Sequence, residues 1–161
     1  MPRTTSRSFS SMLLTSASVA ALSLAWHPTP ALADKVGSAA AVKPEAMSGG
    51  TELRIGSAIF YNQRINTSGT GLVQVLLIDG STFTVGPGSD LVIDKFVYDP
   101  NKGKGELTAS FGKGVLRYVG GKISKNEGGV TINTPAGSLG VRGAIVQGTV
   151  NGRELVMSLV F

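Results

Sequence analysis

From Thr51 to the end of the chain, short runs of Val, Ile, Leu, Phe and Tyr alternate with Gly, Asn, Asp and Pro. The stops recur about every 8–12 residues, the spacing of an all-β domain. Leu53-Arg54-Ile55 and residues 58–61 open this region. Residues 72–78 are nearly continuous apolar, which predicts a central strand covered on both faces. Asp79-Gly80 follows, and residues 81–85 then alternate polar and apolar. An Asp-Gly pair between two such runs predicts a hairpin with a type I′ turn, whose two central residues need positive φ. In residues 91–98, Leu91 and Ile93 share one phase while Phe96 and Tyr98 share the other. A phase change across Asp94-Lys95 predicts a bulge or corner there. Further strands are expected at 106–111, 115–119, 130–133, 139–141, 144–150 and 153–161, the last two joined by Asn151-Gly152. No window fits the helical period, so helices are expected to be absent or trivial beyond the N-terminal segment.

That N-terminal segment differs in texture. Arg3 and Arg7 precede an uncharged, apolar or small stretch over 11–25, and Ala31-Leu32-Ala33 supplies small residues at a cleavage site. Positive start, short apolar middle and A-x-A ending predict a Sec-type signal peptide at 1–33, cut between Ala33 and Asp34, and hence a periplasmic protein. The apolar stretch falls short of the roughly 20 residues a membrane span needs, so no transmembrane span is expected in the mature chain. Residues 34–50 are rich in Ala, Ser and Gly without a clear period and predict a flexible N-terminal arm. Residues 51–161 then form the all-β domain.

Removing the leader changes the composition. The written chain has 15 Lys and Arg against 10 Asp and Glu; the leader holds two of the arginines, leaving 13 against 10, a net +3. The positives are scattered and form no basic stripe, so no nucleic-acid partner is expected. All 22 glycines lie beyond Ala33, while the one His (His27) and the one Trp (Trp26) lie before it, and Cys is absent. A mature chain without Cys or His lacks a thiolate metal site, a cysteine nucleophile and a His base for any serine.

What remains is weak chemistry. Ser110-Phe111-Gly112-Lys113 fits S-x-x-K, but its partner motifs are missing. Asp79, Asp90, Asp94, Asp99 and Glu106 could supply a carboxylate pair for glycoside chemistry, yet each sits at a turn, a strand start or a phase change. Asp99-x-Asn101-x-Gly103 with Glu106 lacks the calcium-loop spacing and is interrupted by Lys102 and Lys104. No catalytic residue, metal site or cofactor is assigned.

Three segments in series carry a resemblance. LLIDGSTFTVGPGSDLVIDKF (76–96) gives strand, Asp-Gly turn, strand, Gly-Pro and Ser before a third strand. GKGVLRYVGGKIS (112–124) carries an Arg before a Gly turn, and VTINTPAGSLGVRGAIV (130–146) has Thr-Pro followed by Val-Arg-Gly. Together they resemble the FecR-domain family. The resemblance implies a compact multi-stranded β-domain, roll-like, solenoid-like or sandwich, in a Gram-negative periplasm. In the best-known members this domain follows a cytoplasmic sigma-regulating segment and a membrane helix, and relays a signal from an outer-membrane transporter. Here a signal peptide stands where that segment would be, so only the exported sensing or interaction domain is expected to carry over. Ala144 also stands where a Thr is expected after Arg142-Gly143.

The expected function is non-catalytic binding or sensing through another envelope protein. Candidate interaction residues are Arg117 and Arg142, for which two readings stand: partner contact, or a structural role on turn carbonyls or paired with Asp79 or Asp94. Tyr98 and Tyr118 are either interface aromatics or packing residues. The rival is a polysaccharide-binding or hydrolytic envelope protein, which a solvent-facing aromatic row beside two carboxylates would favour.

Overall fold

The computed structural model describes residues 34–160. The signal-peptide reading of 1–33 lies outside the described residues, as does Phe161. Among the described residues thirteen strands form one sheet that curls over on itself. They are β1 (Lys35–Lys43), β2 (Ala46–Ser48), β3 (Thr51–Glu52), β4 (Ala58–Phe60), β5 (Arg64–Thr67), β6 (Leu72–Leu77), β7 (Thr82–Val85), β8 (Asp90–Asp99), β9 (Lys104–Val119), β10 (Val130–Thr134), β11 (Gly137–Val141), β12 (Ile145–Asn151) and β13 (Glu154–Val160). The all-β expectation is borne out; among the described residues the only helical piece is a 3-10 turn at Ile123–Lys125.

The long strand β9 organises the sheet. Its first half pairs antiparallel with β8 and parallel with β10, and its second half pairs antiparallel with β7 and β12. One half of the sheet therefore runs β3-β2-β5-β8-β9-β10-β11, and the other runs β4-β1-β6-β7-β9-β12-β13. Residues 106–111 and 115–119 are thus one strand rather than two. The break in their pattern marks a bend at Gly112-Lys113-Gly114, where the register with β8 shifts and Gly114 takes φ +95. A positive φ strains any residue with a Cβ, and an added Cβ would meet the Ser89 hydroxyl.

Inward side chains of both halves form a single core, with Val73, Val75, Phe83, Leu116 and Val146 from one and Ile65, Leu91, Ile93, Phe111 and Ile132 from the other. Each such side chain contributes about 1.5–3 kcal/mol by leaving water. The rings of Phe83 and Tyr118 lie 4.8 Å apart, tilted by 45°. The bulge foreseen at Asp94-Lys95 is present: Ile93 faces Ala109 while Lys95 faces Thr108, leaving Asp94 unpaired. Its Oδ2 is buried without a hydrogen-bond partner.

Several expectations need correction. The segment 34–50 is no flexible arm, because β1 lies between β6 and β4 and β2 pairs with β5. Two register shifts in β1 and its small side chains hide the two-residue period from the sequence. β6 is not covered on both faces; Val73, Val75 and Leu77 point inward, while Leu76 and Ile78 are 44% and 60% exposed. Leu53-Arg54-Ile55 is a turn rather than a strand, with Leu53 buried and Ile55 exposed. The Asp79-Gly80 hairpin exists, but not as type I′. Leu77 N–H reaches Ser81 O at 2.9 Å around a three-residue loop, and only Gly80 has positive φ. That is the three-residue pattern ending in a left-handed glycine. At the other hairpin Asn151 faces Glu154, so Gly152-Arg153 forms the loop, with positive φ at Gly152 only.

Candidate functional site

The three resembling segments meet at one corner. Asp79 and Ser81 continue the inward phase of Val73, Val75 and Leu77, so two polar side chains enter the core end of the β6–β7 hairpin. Burial without partners would cost several kcal/mol, and every partner is supplied. The Ser81 amide donates to Asp79 Oδ1 at 3.0 Å, and its hydroxyl to Oδ2 at 2.7 Å. The Ile123 amide donates to the same Oδ2 at 3.2 Å, and the Gly121 amide to Ser81 Oγ at 3.0 Å. Ser124 Oγ donates to Gly121 O at 2.7 Å. From the third segment, the Gly143 amide donates to Ser124 O at 2.8 Å and the Gly120 amide approaches Ala144 O at 3.3 Å.

Close approach explains the glycine pair in this corner. A Cβ on Gly121 would lie 2.3 Å from Ser81 N, 2.6 Å from Gly80 C and 2.7 Å from Asp79 O, all backbone atoms. Tyr118 closes the cluster, its hydroxyl 3.0 Å from Ser81 Oγ. Burial pushes its phenol up to about 12, with the Asp79 carboxylate adding to the shift and the Ser81 hydroxyl opposing it. A second serine works the same way at the Gly-Pro-Gly turn. Ser89 Oγ accepts the Val115 amide at 2.8 Å, and Thr67 Oγ1 accepts the Ser89 amide at 3.0 Å while donating to Gly86 O at 2.5 Å. Both corners are joints of the fold: each donor and acceptor faces protein, and neither leaves a group aimed at a ligand.

The four candidate residues separate accordingly. Tyr118 is fully buried, a packing and hydrogen-bonding residue rather than an interface aromatic. Tyr98 is half-buried against the core at the far end of β8. Arg142 is exposed beside Glu127, at 4.0 Å. Arg117 is exposed on the outer face of β9. Neither arginine pairs with Asp79 or Asp94, because the Asp79 carboxylate is taken by Ser81 and Ile123 and the Asp94 Oδ2 has no partner.

Arg117 stands in a polar row that crosses five strands. Strand register puts Gln74 opposite Thr84, Thr84 opposite Arg117, Arg117 opposite Gln147 and Gln147 opposite Ser158. A row beside it runs Leu76, Thr82, Val119, Ile145 and Val160, and on the other side Val115, Thr149 and Val156 align. A shallow groove of about 420 Å³ lies between Arg117, Gln147, Thr149, Val156 and Ser158. The groove thus has a cationic centre, amide and hydroxyl flanks and apolar borders. Among the described residues no solvent-facing aromatic row lines it. Arg117 stands out in the sequence, whereas Gln74, Thr84, Gln147 and Ser158 do not, because only strand register brings them together. The buried serines left a signal, a polar residue in the inward phase of an apolar strand.

The Asp99 loop is turn chemistry, as expected: Asp99 Oδ1 accepts the amides of Asn101 at 2.9 Å and Lys102 at 3.3 Å. Among the described residues no group of three His, Cys, Asp or Glu side chains is placed to hold a metal, and no helix is long and apolar enough to cross a membrane.

Comparison with known families gives one match: the model of FecR protein covers residues 63–160. No curated protein and no solved structure matches. The family match spans more than half of the chain, and the chain belongs to the FecR family. β1 through β4 precede the matched region yet pair into both halves of the sheet.

Proposed function

We propose that this FecR-family chain is an exported, non-catalytic binding and sensing module of the cell envelope, working through a protein partner. Family membership supports an envelope signalling role. The observation that carries the binding reading is the open face of β6, β7, β9, β12 and β13, with Arg117 at the centre of a polar row between apolar ones. The motif corners tie the strands beneath this face together, while the side chains on it point away from the core. Periplasmic location rests on the leader at 1–33. Recovery of a cytosolic protein with Met1 intact would remove it.

The test is capture of partners from an envelope extract by wild type, Arg117→Ala and Arg142→Ala. Loss of capture by Arg117→Ala, with folding unchanged, is the expected result. Capture retained by both variants would assign the arginines no binding role. Arg142, on a separate turn beside Glu127, is expected to have the smaller effect.

A further inference from the structure

The four edges of the sheet are not equally guarded. β3 has two residues and β4 three, both too short to template another strand. β11 has five residues, of which Gly137 and Gly140 are two. β13 has seven, ELVMSLV, with an unbroken register to β12, no proline and no charge after Glu154. Nothing pairs with its outer edge among the described residues. Natural edges of this length carry lysines, prolines or bulges, and β13 has none.

The two-residue loop at Gly152-Arg153 fixes which backbone groups are free. Residues flanking such a loop exchange both backbone hydrogen bonds, so Glu154, Val156, Ser158 and Val160 bond to β12. Leu155, Met157 and Leu159 are left with their amides and carbonyls pointing outward. These same three residues carry the side chains on the core side of the strand. Leu155 and Met157 pack partly against the core, and Leu159 is 55% exposed.

We infer that β13 pairs antiparallel with β13 of a second copy, about a two-fold axis through Met157. That axis sets Leu155 opposite Leu159 of the other copy, Met157 opposite Met157, and Leu159 opposite Leu155. Each free amide then meets a free carbonyl, giving about six new hydrogen bonds. The apolar side chains fall into one row on one face, with no charge in the row. An arbitrary partner strand would have to match both the donor pattern and the apolar face; a second copy matches both by symmetry. The axis is perpendicular to the sheet, so the Arg117 faces of the two copies, each including Val156 and Ser158, become one continuous surface.

A seven-residue strand is about 24 Å long, so edge pairing buries well under the roughly 800 Å² per partner of a standard interface. A reversible dimer is expected, rather than a permanent one. Sedimentation of the purified protein between about 1 and 500 µM is expected to pass from monomer to dimer. Met157→Pro removes an amide that faces the free edge and spares the β12 ladder, and Leu159→Lys puts a charge in the apolar row. Either is expected to keep the protein monomeric throughout that range. As the chain has no Cys, Met157→Cys reports register directly. Facing Cα atoms about 5.5 Å apart fit a disulfide, so oxidation is expected to cross-link this variant and not Ser158→Cys. A wild type that stays monomeric at 500 µM, dimerisation that survives both Met157→Pro and Leu159→Lys, or equal cross-linking of the two cysteine variants would overturn the pairing.

Discussion

Replacing Gly121 by Ala tests whether the motif corner is a joint of the fold. The added Cβ lies 2.3 Å from Ser81 N, 2.6 Å from Gly80 C and 2.7 Å from Asp79 O. None of these is a flexible side chain, so the β6–β7 hairpin and the strand leaving β9 must separate. Overpacking of this kind costs about 1–3 kcal/mol. Separation also stretches three hydrogen bonds, from the Gly121 amide to Ser81 Oγ, the Lys122 amide to Asp79 O and the Ile123 amide to Asp79 Oδ2. At about 1 kcal/mol each when partly lost, the total with the overpacking is about 4–6 kcal/mol. With a urea slope near 2 kcal/mol per molar, the midpoint of unfolding falls by about 2–3 M. Gly140→Ala is the control, since nothing lies within 4 Å of its added Cβ and its φ is not positive; its midpoint is expected to stay level or rise slightly. A Gly121→Ala midpoint within about 0.5 M of wild type would refute the close-packed corner.

Other variants probe the same construction from different sides. Asp79→Ala orphans the buried amides of Ser81 and Ile123 and is expected to cost about 2–4 kcal/mol by urea unfolding. Tyr118 holds its proton to about pH 12 in the folded state and to about 10 unfolded. The unfolded chain therefore releases that proton first, and the contribution present below pH 10 is lost as pH rises towards 12. Unfolding midpoints measured across pH 9–12 should fall less steeply for Tyr118→Phe than for wild type. Ala39→Asp places a charge in β1 at a buried site paired to Val75, and is expected to cost more than about 2 kcal/mol; a thermal midpoint equal to wild type would return residues 34–50 to the role of a loose arm.

Much of the fold was legible because strand period and turn residues agree. The phase change at Asp94-Lys95 is a bulge, and the punctuated runs after Val130 are β10 to β13. What failed did so where local pattern and long-range pairing part. Residues 72–78 look doubly buried by composition, yet Leu76 and Ile78 are exposed, and among the described residues no second layer covers that side. β1 was hidden by bulges and by alanines, whose burial carries little hydropathy contrast. The candidate site was less legible. Arg117 stood out beside its glycines, but its polar row exists only through the register of five strands. Asp79 read as a turn residue, and its role as acceptor for the distant Ile123 amide depends on β9 returning to the hairpin, a contact 44 residues away in sequence.

The binding role of the open face is tested most directly by titrating the captured envelope partner with purified wild type and Arg117→Ala while recording both urea midpoints. Arg117 is exposed and makes no ion pair among the described residues, so its removal is expected to leave the midpoint within about 0.5 kcal/mol of wild type. Affinity is expected to fall at least tenfold, about 1.4 kcal/mol. Equal affinity of the two proteins, with both fully folded, would contradict the assignment of this face as the partner surface.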